Sequence, residues 1–141
     1  MKKKTTDDLR QELMDQPNIK AYLSDNQPYF MEIGILELLE RLHKRTGLSK
    51  AELARRSGMS EVYLHQVLSG RRNPSRDRLL ALCAGLSASL EETQQMLRQA
   101  GYAQLYPKLR RDAIIIYGLL HCQNLGRIND TLFTENEKAL S

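Results

Sequence analysis

The sequence predicts an all-α protein. Apolar residues recur at spacings of three and four along almost the entire chain of 141 residues, as they do on the buried face of a helix. No segment alternates polar and apolar residues with the β-branched enrichment of a strand. Serines and glycines typical of helix starts and stops interrupt the pattern repeatedly. The hydrophobic content of 41% suffices for a packed core, and the length suits one domain with extensions.

Residues 1–28 are predicted to form an N-terminal helical arm. The run Thr6-Asp7-Asp8 favours a helix start, and this helix is expected to end at about Met14. A second short helix is expected over residues 18–23, followed by a polar loop over residues 24–28.

Residues 29–101 are predicted to form the central domain, which contains five helices. The first stops at Gly47, where a left-handed residue is expected. Ser49 and Glu52 have the spacing of a capping box, which opens a helix over residues 50–56. The inward positions of the first helix are Ile35, Leu38, Leu39 and Leu42.

Three further helices complete this domain. Gly58 ends the second helix, and Ser60 caps the third. Ser75 begins the fourth, and Ser89 with Glu92 forms a capping box for the fifth. The apolar positions of the third and fourth helices are Leu64, Val67, Leu68, Leu79, Leu82, Cys83 and Leu86.

Residues 102–141 are predicted to form a C-terminal helical extension. Pro107 is expected in the first turn of a helix that runs to about Cys122, and a last short helix is expected around Phe133. The longer helix carries one apolar stripe, which consists of Leu109, Ala113, Ile116, Tyr117 and Leu120. The extension has two interpretations, a lid on the central domain or a surface that joins two chains as a homodimer.

Positive charge is concentrated in the central domain. The stretch from Arg41 to Arg78 holds ten Lys or Arg residues against three acidic ones, so it carries +7 while the whole chain carries +4. This distribution indicates a polyanion-binding surface, or simply a solvated helical face. Lys2-Lys3-Lys4 is either a solubilising tip or an arm for DNA.

Several other classes of protein are not favoured. No apolar segment follows the N-terminal lysines as in a secretory signal, and no run reaches the length of a membrane span. A cytoplasmic protein with reduced Cys83 and Cys122 is therefore expected. The three histidines have no partners at metal-ligand spacing, and no catalytic constellation or Gly-rich phosphate loop is present. We expect no enzyme activity, no metal and no cofactor.

The central domain contains a group of motifs at characteristic spacing. They are Leu48-Ser49-Lys50-Ala51-Glu52-Leu53-Ala54, Ser57-Gly58-Met59-Ser60, the apolar residues Leu64, Val67 and Leu79, and Ser69-Gly70-Arg71-Arg72-Asn73-Pro74-Ser75. With these motifs, residues 33–86 resemble the XRE family, the helix-turn-helix proteins typified by phage repressors and Cro. The resemblance implies a five-helix lambda-repressor-like DNA-binding domain, flanked here by the two helical extensions.

The resemblance also implies a role for individual residues. The helix that starts after Ser60 would lie in the major groove of double-stranded DNA. Its predicted base-reading residues are Glu61, Val62, Tyr63 and Gln66. The predicted phosphate-binding residues are Ser49, Lys50, Ser60, His65, Ser69, Arg71, Arg72 and Asn73. Tyr63 has a second interpretation as a half-buried prop.

Two positions depart from the family pattern. Lys50 stands where many members have Gln, and Leu68 stands where they have an acidic residue. Glu61 is unfavourable beside a polyanion unless it accepts a hydrogen bond from a cytosine amino group.

The function expected from the sequence is sequence-specific binding of double-stranded DNA, as a transcriptional repressor of bacterial or mobile-element origin. The alternative is an antitoxin or adaptor that binds a protein partner through the extensions and for which DNA binding is secondary.

Overall fold

The computed structural model describes residues 3–26 and 34–141. In these ranges the chain forms nine α-helices and no β-strand, which confirms the all-α prediction. Five of the helices lie in the predicted central domain, two precede it and two follow it. Their bounds are α1 Thr6–Asp15, α2 Ile19–Asp25, α3 Ile35–Thr46, α4 Lys50–Arg56, α5 Glu61–Leu68, α6 Arg76–Gly85, α7 Leu90–Gln99, α8 Arg110–Leu120 and α9 Leu125–Thr134.

Helices α1 and α2 belong to a compact unit of their own. The capping residue of α1 is Thr5, one position before the predicted run, because its hydroxyl accepts a hydrogen bond from the Asp8 amide three residues on. Helix α2 continues through Asp25, so the predicted loop begins later than expected.

Two predictions about the N-terminal region fall partly outside the described residues. The predicted boundary between residues 28 and 29 does so, as does Lys2 of the lysine run. Lys4 is described, and its ammonium group lies 2.5 Å from a carboxylate oxygen of Glu12 and 2.7 Å from the side-chain oxygen of Asn26.

Helices α3 to α9 form the second unit, residues 34–141, with α6 at its centre. Every residue from Leu79 to Gly85 is buried, because α6 packs against α4, α7 and α9. The predicted boundary between the central domain and the C-terminal extension, at residues 101 and 102, lies inside this unit and stays a prediction.

Serine caps set where the helices of the central domain begin. Ser49, Ser60, Ser75 and Ser89 each accept a hydrogen bond from the amide three residues on. Ser89 forms the predicted capping box with Glu92, whereas Ser49 forms only half of one. The reason is that the Glu52 carboxylate pairs with Arg55 and Arg56 instead of turning back to its own cap.

The C-terminal extension differs from the prediction in two ways. Helix α8 begins at Arg110, so Pro107 lies in a preceding turn. Three residues of the apolar stripe, Leu109, Tyr117 and Leu120, are exposed, whereas its other two, Ala113 and Ile116, are half-buried. The buried face consists of Asp112, Ile115, Gly118 and Leu119.

Asp112 faces inward because it pairs with an arginine of the central domain. Its Oδ2 accepts hydrogen bonds from Arg76 at 3.2 Å and from the Tyr106 amide at 2.9 Å. The neighbouring residues form the reciprocal pair, in which Arg111 donates to both oxygens of Asp77 at 2.9 and 3.0 Å. Two Arg-Asp dipeptides therefore join the first turns of α6 and α8.

Within the described ranges, no helix combines the length and the hydrophobicity needed to cross a bilayer. The same residues contain no cluster of three or more side chains suited to holding a metal ion.

Candidate nucleic-acid interface

Helices α4 and α5 cross closely through a tight turn. Leu53 and Ala54 of α4 are buried, as are Leu64 and Val67 of α5. Gly58 forms the turn with a φ of +63°, in the left-handed region that favours glycine. This packing fixes α5 with one face directed into solvent.

The outward face of α5 carries the predicted base-reading residues. Successive helical residues are about 100° apart, so Val62 and Gln66 lie near the middle of this face, while Tyr63 and His65 lie about 160° apart on its two sides. Val62 is 70% exposed and Glu61 is also exposed, whereas Tyr63 and Gln66 are half-buried.

Gln66 has a hydrogen-bond partner on this face. Its Oε1 accepts a hydrogen bond of 3.0 Å from Arg72 Nε. A carbonyl oxygen has two lone pairs, so Gln66 keeps one acceptor position and both amide donors for another partner.

The predicted phosphate-binding residues Lys50, His65 and Arg71 lie together on one flank of α5. With Glu61, Val62 and Gln66 they line an open hollow of about 420 Å³. Lys50 Nζ lies 3.5 Å from His65 Nδ1. The structure thus brings a residue at the start of α4 next to the turn that follows α5.

The remaining predicted phosphate-binding residues are polar groups around the helix ends. Ser49 and Ser60 use a hydroxyl lone pair to cap α4 and α5, which leaves each hydroxyl hydrogen available as a donor. Ser69 donates its hydroxyl to Gln66 O at 3.2 Å. Asn73 is exposed.

The other flank of α5 carries a cluster that the sequence did not predict. The Tyr63 ring has the guanidinium carbon of Arg78 at 4.7 Å from its centroid and that of Arg72 at 5.3 Å. Tyr63 and Arg78 also line a second hollow, of about 530 Å³, with Arg55 and Ser60.

The basic residues of the domain divide into two groups. Some are neutralised locally: Arg45 pairs with Glu92, and Arg55 and Arg56 pair with Glu52. The hydrogen bond from Arg55 holds the pKa of Glu52 below its usual value. Among the described residues, those without an acidic partner within 4 Å include Lys50, Arg71, Arg72 and Arg78. All four lie beside α5.

Residues 36–96 match the protein-family model described as "Helix-turn-helix domain". These residues therefore form a helix-turn-helix domain. The match begins within α3 and ends within α7, so it covers the α4–turn–α5 unit completely. Comparisons of the chain with curated proteins and with solved structures gave no match.

A helix-turn-helix domain suggests DNA binding, and α5 is the second helix of the pair. Arg78 was missed as a site residue because it lies in the first turn of α6, outside the motif. A signal was present, since an arginine of α6 that follows the basic turn by a few residues can reach back towards α5.

Proposed function

We propose that this protein binds double-stranded DNA sequence-specifically, with α5 in the major groove, and that it represses transcription. The observation that carries the proposal is the outward face of α5. Val62 is 70% exposed in its centre, and Lys50 and Arg71 flank it without an acidic partner among the described residues. The major groove is wide enough to admit such a helix.

The two kinds of side chain on this face would have different tasks. Gln66 can pair with adenine through its amide, because its oxygen retains a free lone pair beside the bond from Arg72. Val62 can contact a thymine methyl group, and Glu61 can accept from a cytosine amino group. Lys50, His65 and Arg71 would contact phosphates, which fixes the register but does not select a sequence.

A selection from random DNA with the purified protein tests sequence specificity directly. We expect an enriched motif, and Gln66→Ala should reduce discrimination at one of its positions by about 1–3 kcal/mol. Gln99→Ala, at the end of α7, serves as the matched control and should leave the motif unchanged. A selection that enriches no motif would refute sequence-specific binding.

The phosphate-binding role predicts a different response. Arg71→Ala should weaken binding to selected and random duplexes alike and reduce the dependence of log K on log salt by about one. If Arg71→Ala and Gln66→Ala lowered affinity equally on both duplexes, the division of roles would be wrong. Repression itself is tested with a reporter promoter that contains the selected motif, whose output should fall when the protein is expressed.

A homodimer would give the protein access to two half-sites one helical turn apart. The exposed stripe of α8 supports this part of the proposal, because Leu109, Tyr117 and Leu120 each expose more than half of their side-chain surface. Sedimentation of the protein with and without its selected DNA tests it. A monomer under both conditions at micromolar concentration would rule the dimer out.

The same stripe supports the second candidate, an antitoxin or adaptor whose extension binds another protein. Phe133 in α9 is 82% exposed, which is unusual for a large apolar side chain and favours a contact of this kind. A protein that binds no DNA duplex at low salt but remains folded would favour this candidate over the first.

A further inference from the structure

Two arginine side chains converge on Tyr63. The guanidinium carbons of Arg78 and Arg72 lie 4.7 and 5.3 Å from the centroid of its ring, within the distance of about 6 Å at which a cation interacts with an aromatic ring. The two carbons are therefore at most about 10 Å apart. The ring thus holds two positive charges near one another.

This arrangement lacks a neutralising group among the described residues. Neither Arg72 nor Arg78 has an acidic partner within 4 Å there, and the polar partner of Arg72 is the neutral amide of Gln66. Glu52, the carboxylate on the adjoining helix α4, is already paired with Arg55 and Arg56. Two like charges within about 10 Å of one another repel, and an anion bound to either guanidinium group would reduce that repulsion.

The cluster lies on the flank of α5 opposite Lys50 and His65. Tyr63 and His65 are separated by about 160° around the helix axis, and each borders its own hollow. A helix in the major groove has a phosphate backbone on each side, because the groove is bounded by the two strands. Cations on both flanks of α5 match that geometry.

We propose that Tyr63, Arg72 and Arg78 form a second phosphate-binding site, which contacts the DNA strand opposite the one held by Lys50 and Arg71. Arg78 and Arg72 bind phosphate oxygens, and Tyr63 is the positioning residue whose ring orients both guanidinium groups. The inference rests on the proposed DNA binding. It gives the aromatic ring of Tyr63 a positioning role in which the hydroxyl group takes no part.

Salt titrations of binding to a random-sequence duplex, followed by fluorescence anisotropy, test the site. Arg78→Gln should make the slope of log K against log salt shallower by about 0.9, the value for one phosphate contact. Arg98→Gln is the matched control, because Arg98 is exposed near the end of α7 and has no acidic partner among the described residues. It should retain the slope of the unmodified protein.

Two substitutions at Tyr63 separate the ring from the hydroxyl group. Tyr63→Phe keeps an aromatic ring and should keep the slope, whereas Tyr63→Leu should reduce it by about 0.9 to 1.8, for one or two lost contacts. Circular dichroism reports whether Tyr63→Leu is folded, and if it is not, Arg78→Gln and Tyr63→Phe still decide.

The inference is overturned if Arg78→Gln has the same slope as Arg98→Gln, or if Tyr63→Phe loses as much slope as Tyr63→Leu. A loss of sequence discrimination in Tyr63→Phe at an unchanged slope would show that the hydroxyl reads a base while the ring keeps its positioning role. Failure of the unmodified protein to bind the duplex at all would instead refute the proposed DNA binding.

Discussion

The pair between Arg76 and Asp112 should be a large single contribution to the stability of residues 34–141. Asp112 is 3% exposed, and its carboxylate accepts hydrogen bonds from the Arg76 guanidinium and from the Tyr106 amide. Asp112→Asn removes the negative charge and turns amide hydrogens towards groups that are themselves donors. The change therefore leaves Arg76 without a charged partner at a largely buried position, with only the backbone carbonyls of Ala103 and Gln104 as acceptors.

The expected cost follows from the burial of the two partners. Breaking a buried ion pair by removing one charge costs about 3–5 kcal/mol. The Arg76 side chain keeps 24% of its surface exposed, so water can partly replace the lost partner and the lower end, about 3 kcal/mol, applies. For a chain of this length this corresponds to a decrease in Tm of about 10 °C.

Urea unfolding followed by far-UV circular dichroism measures this difference. Asp130→Asn is the matched control, because Asp130 is exposed on α9 and has no ion pair among the described residues; it should change the free energy of unfolding by less than about 0.5 kcal/mol. Asp77→Asn should cost less than Asp112→Asn, since the Asp77 side chain keeps 19% of its surface exposed and that of Asp112 only 4%. The reasoning fails if Asp112→Asn lies within about 1 kcal/mol of the control.

Three further predictions concern other parts of the molecule. The hydrogen bond from Arg45 lowers the pKa of Glu92, so this ion pair stabilises the fold above the ordinary pKa of 4.5 and loses its effect as the pH falls through the lowered pKa. The difference in the free energy of unfolding between the unmodified protein and Arg45→Gln, measured by urea unfolding, should therefore shrink in acid and not grow. Burial raises the pKa of the Cys83 thiol to about 12, whereas Cys122 is exposed. A thiol reagent should therefore modify only Cys122 in the native protein and both cysteines after denaturation. Rapid modification of both cysteines in the native protein would contradict this. Gly58→Ala should destabilise the protein by about 1–2 kcal/mol in thermal unfolding, because φ is +63° there, and an unchanged Tm would show that the turn relaxes.

Local features of the fold could be predicted from the sequence because they depend on neighbouring residues. Ser60 and Ser89 cap helices as expected, since each cap joins groups only three residues apart. The residues that α8 turns towards the core could not be predicted in this way, because they depend on contacts far along the chain. Asp112 looks like a solvent-facing residue until it is paired with Arg76, which lies 36 positions earlier in the chain.

The candidate site likewise combines a feature that the sequence predicts with one that it does not. The exposure of Val62 on the outward face of α5 agrees with what the helix-turn-helix pattern implies, because the buried positions of α5 fix which side remains in solvent. The sequence indicates only that an arginine of α6 could reach back towards α5, and the position of Arg78 beside the Tyr63 ring is what the structure adds. The roles of these residues in DNA binding stay predictions that the experiments above test.

The packing around Gly58 has a consequence for the folding of the chain during synthesis. A Cβ atom at this position would lie 3.1 Å from Leu125 Cδ2, so a residue of α9 covers the turn between α4 and α5. Residue 125 is added 67 positions after residue 58, which at about 5–20 residues per second takes about 3–13 s. During that interval the turn has left or is leaving the ribosome without its apolar cover. The turn before α5 therefore gains its final packing only after residue 125 has been added.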